Sequence, residues 1–129
     1  MRVMVLVKAT AESEAGLIDR PELFAEMGAF NAALEAAGVL VTGDGLKPSS
    51  EGKRIAFDGA ARTVIDGPFA ATSELVAGFW IWQVADMDEA VAWARRCPNP
   101  MPGPSELEIR PFYEAEDLAA LIAPAPLTD

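Results

Sequence analysis

The first stretch of the chain, Arg2 to Lys8, carries apolar residues on both sides of a predicted strand. Side chains alternate in direction along a strand, and here the three valines on one side are opposed by Met4 and Leu6 on the other. A strand that is apolar on both faces has to be covered on both faces. The pattern therefore predicts a central strand of a sheet.

A second two-sided strand is predicted from Gly78 to Val84. Aromatic side chains occur on both of its sides, and Gln83 is the one polar exception. The large side chains of this stretch are Phe79, Trp80, Ile81 and Trp82. The two stretches together predict the centre of the sheet and therefore the position of the core.

Helical spacing of apolar residues appears in two other segments. One helix is predicted from Pro21 to about Ala37, and the other from Asp86, which supplies a capping pattern with Glu89, to about Cys97. The remaining predicted elements are a loop over Ala9 to Arg20, an extended stretch over Val39 to Lys47, a hairpin with arms Arg54 to Phe57 and Thr63 to Ile65 around a turn at Asp58 to Ala61, a loop or helical turn over Ala70 to Val76, a strand over Glu106 to Phe112 and a short helix over Glu116 to Ile122.

This order of elements is typical of an α+β fold, the ferredoxin-like sandwich, here with an enlarged middle β-hairpin. We expect one domain over residues 1–122 and a C-terminal tail over residues 123–129. Two helices cover only one face of such a sheet, so the second apolar face predicts a homodimer with sheets packed face to face. Trp80, Trp82 and Met4 are predicted to contribute to that interface or to a pocket beside it.

The composition of the chain argues against several classes of partner and of chemical site. The chain has 129 residues and a formal net charge of −10, which argues against nucleic acid and anionic membranes as direct partners. No apolar run is long enough for a membrane helix or fits a signal peptide, so a cytoplasmic location is expected. Cys97 is the single cysteine and histidine is absent, so no internal disulfide, Cys-His pair or imidazole metal ligand is available, and we predict neither a metal nor a cofactor.

Asp66 is the candidate catalytic residue. It ends an apolar strand, and a carboxylate at a strand end beside apolar residues is a candidate general acid or base. The alternative is structural, because Asp before Gly67 and Pro68 readily hydrogen-bonds within its own turn. Lys8 is the candidate partner of Asp66 or of an acidic ligand, with an exposed strand-end lysine as its alternative.

Four further residues are candidates for ligand binding. Trp80 and Trp82 are suited to walling a pocket for an aromatic ligand, although core or interface packing is the commoner use of tryptophan. Arg54 is a candidate anion contact, and Phe69 adds an aromatic surface next to Asp66.

Seven segments carry a family resemblance through their order and spacing. They are Met4 to Lys8, Gly45 to Ser49, Asp66 to Phe69, Glu74 to Trp80, Asp88 to Ala90, Trp93 to Pro98 and Glu108 to Pro111. Together they resemble the DGPF-domain branch of the YCII-related proteins. The resemblance runs nearly end to end and implies a dimeric α+β barrel of ferredoxin-like subunits.

The resemblance also implies a link to extracytoplasmic-function sigma factors, near which such proteins are often encoded. One related YCII-like protein is a dehydrochlorinase, and others carry a proposed His-Asp pair.

The chain departs from the family pattern in two places. Without histidine it has no His-Asp pair, and Ala71, Thr72 and Ser73 stand where similar sequences commonly read Glu-Thr-Lys. Three functions follow as hypotheses. The first is a non-catalytic dimer that binds a small molecule or a protein, the second is a metal-free lyase or isomerase using Asp66 on a small cyclic or acidic compound, and the third is an interaction protein of a sigma-factor system.

Overall fold

A computed structural model describes residues 1–16 and 20–122 of the chain. Its main sheet is antiparallel and has four strands in the order β2-β5-β1-β6. These strands are β1 (Arg2–Lys8), β2 (Leu40–Gly45), β5 (Val76–Gln83) and β6 (Leu107–Pro111). Helices α2 (Pro21–Ala36) and α3 (Met87–Ala94) pack on one face of this sheet. This is the predicted ferredoxin-like arrangement, with β1 and β5 at the centre.

The enlarged middle hairpin forms a separate two-stranded sheet of β3 (Lys53–Asp58) and β4 (Ala61–Asp66). Its pairing continues as far as Asp58 with Ala61, so the turn is shorter than predicted and Lys53 lies opposite Asp66. Every residue of both strands is exposed. The hairpin is therefore held to the body of the protein mainly at its base.

Strand β1 shows why the sheet has two distinct faces. Val3, Val5 and Val7 are buried, whereas Met4 and Leu6 point the other way and are only half-buried. Across the central pairing, Met4 lies opposite Ile81 and Leu6 opposite Phe79. We call Met4, Leu6, Phe79 and Ile81 the open face, since they point away from the side on which α2 and α3 pack.

The core lies between the sheet and the helices. Trp80 and Trp82 are both buried on the helix-covered side, and the ring of Phe30 from α2 meets each of them edge to face at 5.9 and 6.2 Å between centroids. The other buried core residues are Val3, Val5, Val7, Leu34, Val39, Val84, Ala90 and Met101. The two tryptophans are thus on the opposite side of the sheet from Met4, with which the sequence analysis grouped them.

Two predicted boundaries differ from the structure. The loop predicted over Ala9 to Arg20 contains one helical turn, α1 (Ala11–Glu14), because Thr10 and Ser13 cap each other's backbone N–H groups. Helix α3 ends at Ala94 rather than at Cys97, where Cys97 N donates to Ala94 O in a tighter three-residue turn. Pro98 explains this tightening, since a residue before proline avoids the helical region.

The chain ends in α4 (Ala115–Ile122), close to the predicted short helix. The tail predicted over residues 123–129 lies outside the described residues. Among the helices that the structure describes, none combines the length and the apolar character needed to cross a membrane.

Candidate functional site

The structure gives Asp66 and Lys8 different partners. Asp66 Oδ1 lies 2.5 Å from Lys53 Nζ across the base of the hairpin, and the Asp66 side chain is 74% exposed. Lys8 lies 3.9 Å from Glu108 of the edge strand β6. The acid-base pair considered for Asp66 and Lys8 is thus replaced by two separate ion pairs.

Arg54 and Phe69 are brought together. The guanidinium carbon of Arg54 lies 4.0 Å from the centre of the Phe69 ring, a cation-π geometry. Phe69 is half-buried, and its backbone N–H donates to the hydroxyl of Ser49 at 3.1 Å. The Arg54 side chain therefore joins the hairpin to the Phe69 ring, and the Phe69 backbone joins this segment to the turn at Ser49.

Gly67 lies where the end of the hairpin packs closely against the turn from Ser49 to Gly52, and we call this contact the hairpin junction. Its N–H donates to the carbonyl of Gly52 at 3.0 Å, and a Cβ placed on Gly67 would overlap the backbone oxygen of Ser49. Ser49 Oγ in turn donates to the carboxylate of Glu14 at 2.5 Å. The Asp-Gly-Pro-Phe segment thus connects the hairpin, the Ser49 turn and α1.

Beside this junction a cleft of about 1080 Å³ opens between α1 and α2 on one side and the strands β2 and β5 on the other. Its size is at the upper end of the range for small-molecule sites, and apolar side chains contribute much of its lining. The principal ones are Leu23, Phe24, Met27, Leu40, Trp80 and Met101.

Trp80 lies at the floor of the cleft, and two contacts hold its indole ring. Nε1 donates to Oδ1 of Asn31 at 2.9 Å. At the adjacent ring atom, Cδ1, the indole passes so close to Gly43 that a Cβ on Gly43 would overlap it. Trp80 is therefore fixed in orientation, whereas Trp82 is fully buried in the core and does not line the cleft.

Asn31 was missed by the sequence analysis. A signal for it exists, because it is a polar residue of low helix propensity one position after the buried Phe30. An amide at such a position needs a hydrogen-bond partner. The identity of that partner depends on how α2 packs over β5, which periodicity alone does not give.

The charged groups of the cleft wall are largely engaged with the protein itself. Arg20 donates to the carbonyl of Met101 at 3.2 Å and lies 3.5 Å from Glu22. Lys47 lies 3.7 Å from Glu51. Each of the two wall cations thus has a carboxylate within ion-pair distance.

Within residues 1–16 and 20–122, no group of three or more Cys, Asp or Glu side chains is arranged to hold a metal ion. Cys97 is half-buried, and loss of hydration raises the pKa of its thiol to about 11. Its thiol is therefore neutral at physiological pH.

Comparison with protein families gives a match over nearly the whole chain. A family model described as the YCII-related domain matches residues 1–123. An uncharacterized protein of Rhizobium meliloti (strain 1021) is 34% identical over 67 residues, which are 52% of this chain. The matched region spans about half the length of that relative, 54% of its residues.

Among solved structures, the chain resembles 5-chloro-2-hydroxyhydroquinone dehydrochlorinase (TftG) from Burkholderia phenoliruptrix AC1100, in complex with 2,5-dihydroxybenzoquinone. The TM-score is 0.52, and the match covers 90% of this chain and 97% of that one. With 14% sequence identity, this likeness supports the shared fold alone.

Proposed function

Because the chain belongs to the YCII-related family, we propose that it is a homodimeric binding module that takes a small ring compound into the cleft above Trp80. The observation that carries the proposal is the cleft itself, about 1080 Å³ in volume with an oriented indole at its floor. Apolar walls with a few placed polar groups are the usual composition of a small-molecule site. The proposal adopts the first of the three hypotheses.

Ring compounds are the proposed ligand class for two reasons. The cleft combines the indole of Trp80 with the half-buried thioether side chain of Met27, which adapts to flat apolar surfaces. The structural neighbour, whose fold is shared, holds a quinone. Such compounds are therefore the first to test.

A metal-free lyase or isomerase is the second candidate function, and it is supported by the dehydrochlorinase activity in the neighbour's name. In this candidate the acid or base would be a carboxylate of the cleft wall, such as Glu12, rather than Asp66, which does not line the cleft. Mass spectrometry of each bound compound after incubation with the protein distinguishes turnover from simple binding.

Gly45 offers a direct test of the cleft. It lines the cleft, and a Cβ placed on it meets no heavy atom within 4 Å. We expect Gly45→Phe to fold normally, to occupy the cleft with its ring and to weaken the binding of ring compounds at least about tenfold.

The matched control is Gly28→Phe, at an exposed position of α2 that also has no heavy atom within 4 Å of an added Cβ. Ligands are found by thermal shift with a set of ring compounds, and their affinities are measured by calorimetry. If no ring compound stabilises the wild type, or if Gly45→Phe binds as tightly as Gly28→Phe, the proposal is wrong.

The homodimer is proposed from the open face. Four apolar side chains lie together on the two central strands, and in one copy of the chain each stays half-exposed. Their rim carries charges of both signs, including Lys8, Glu108 and Arg110, which suits a self-complementary contact. The open face of a second copy is the proposed cover.

Ile81→Glu tests this contact, because it places an unpaired carboxylate in the middle of the proposed interface. We expect the dimer dissociation constant to rise at least about a hundredfold, as for a buried charge without a partner. The control is Val91→Glu, which changes an exposed valine of α3. Sedimentation at micromolar protein concentration measures the dimer dissociation constant of each variant. A wild type that sediments as a monomer contradicts the proposal.

A further inference from the structure

The hydrogen bond between Trp80 and Asn31 determines which way the Asn31 amide points. An indole N–H is only a donor, so the atom of Asn31 that lies 2.9 Å from Trp80 Nε1 has to be the amide oxygen. The other end of the planar amide is then Nδ2, with two N–H donors. The orientation of this side chain thus follows from chemistry as well as from geometry.

The Nδ2 group of Asn31 is accessible to a hydrogen-bond acceptor. Among the residues that the structure describes, the one fully buried side-chain polar atom without a hydrogen-bond partner is Trp82 Nε1. Asn31 Nδ2 donates to no described group, so it has to be accessible, and Asn31 is one of the residues that line the cleft. A pre-oriented donor therefore faces the space proposed for the ligand.

The charges around the cleft favour a neutral acceptor over an anion. Four acidic residues line the cleft, against the two basic residues Arg20 and Lys47. The acidic residues are Glu12, Glu14, Asp44 and Glu51. Both cations already have a carboxylate within 4.0 Å. An anionic ligand would meet repulsion from the wall, whereas a carbonyl oxygen needs only the neutral amide donor.

We propose that Asn31 determines the specificity of the cleft by donating from Nδ2 to a neutral carbonyl oxygen on the ring compound. Trp80 positions this donor because its Nε1–H donates to the amide oxygen of Asn31 and so holds the amide plane in place. The inference rests on the proposed binding function and adds the chemical class of the ligand, ring compounds that carry a ketone or comparable oxo group. In this proposal Asn31 and Trp80 recognise the ligand together, since Trp80 orients the amide that donates to the ligand.

Three probes of nearly equal shape test the inference. They are 2-acetylnaphthalene, which carries a carbonyl oxygen, 2-isopropenylnaphthalene, in which a methylene group replaces that oxygen, and 2-naphthoate, which is an anion. We expect the wild type to bind the ketone about tenfold more tightly than the alkene, the value of one net hydrogen bond, and to bind the anion most weakly.

Asn31→Asp is the decisive variant, because a carboxylate still accepts the Trp80 N–H but has no donor to offer. We expect it to bring the ketone and the alkene to equal affinity. A second measurement needs no variant: in ¹H–¹⁵N spectra of the wild type, the ketone should shift the side-chain NH₂ signals of Asn31, and the alkene should shift them much less.

The outcomes separate the two proposals. Equal binding of ketone and alkene by the wild type, or an unchanged preference for the ketone in Asn31→Asp, overturns the role of Asn31 while the binding function stands. Failure of every probe to bind the wild type overturns the binding function itself, and the inference falls with it.

Discussion

Replacing Gly67 with alanine should lower the free energy of unfolding by about 3 kcal/mol, the upper end of the usual range for forcing an extra group into a packed site. The added Cβ would overlap the backbone oxygen of Ser49 and would lie 3.2 Å from the carbonyl oxygen of Gly52. Both obstacles are backbone atoms, so no side chain can turn away to make room. The turn from Ser49 to Gly52 would have to move, and the hydrogen bond between Ser49 and Glu14 depends on that turn.

Urea unfolding followed by circular dichroism measures this loss. Gly28→Ala is the control, because Gly28 is an exposed helical glycine and a Cβ there meets nothing within 4 Å. Alanine in a helix interior should stabilise the protein by about 0.5–1 kcal/mol. A Gly67→Ala protein as stable as the wild type would show that the junction is not as tight as described.

Gly43→Ala should cost about 2–3 kcal/mol of stability and should also disturb the cleft. Its Cβ would overlap the indole of Trp80 and lie 3.1 Å from the backbone oxygen of Phe79. The indole has to move, and the hydrogen bond to Asn31 then weakens. We expect a loss of stability together with weaker binding of ring compounds.

Gly45→Ala provides the matched control, since it makes the same substitution two residues further along the same strand, where nothing lies within 4 Å. Its stability should stay within about 0.5 kcal/mol of the wild type, as at sites without a packing conflict. Urea unfolding gives the stabilities, and the near-ultraviolet circular dichroism of the tryptophans reports the environment of Trp80. Equal behaviour of the two variants would contradict the contact between Gly43 and Trp80.

Most of the fold follows from the alternation of side chains along the strands. The two-sided pattern of β1 and β5 predicted central strands, and the structure confirms both, with Val5 and Trp80 on the covered face and Leu6 and Phe79 on the open face. The turn of α1 was missed because it depends on a single capping box rather than on a periodic pattern.

Less of the candidate site than of the fold could be predicted from the sequence, because the contacts of the site join residues that are distant in the chain. The Asp-Gly-Pro-Phe segment stands out in the sequence, but the structural role of Gly67 depends on a close approach to Ser49, a residue distant in the chain. Likewise the partner of Asp66 is set by the register that places it opposite Lys53. Such contacts are decided by how separate elements pack, and composition and spacing do not determine them.

The central claim is that a ring compound binds above Trp80, and the indole N–H signals of the three tryptophans test it most directly. In a ¹H–¹⁵N titration with 2-acetylnaphthalene, the Nε1–H signal of Trp80, assigned from Trp80→Phe, should shift progressively to saturation. The signals of Trp82 and Trp93, which do not line the cleft, should move little. A Trp80 signal that stays in place while the ligand binds would contradict the account.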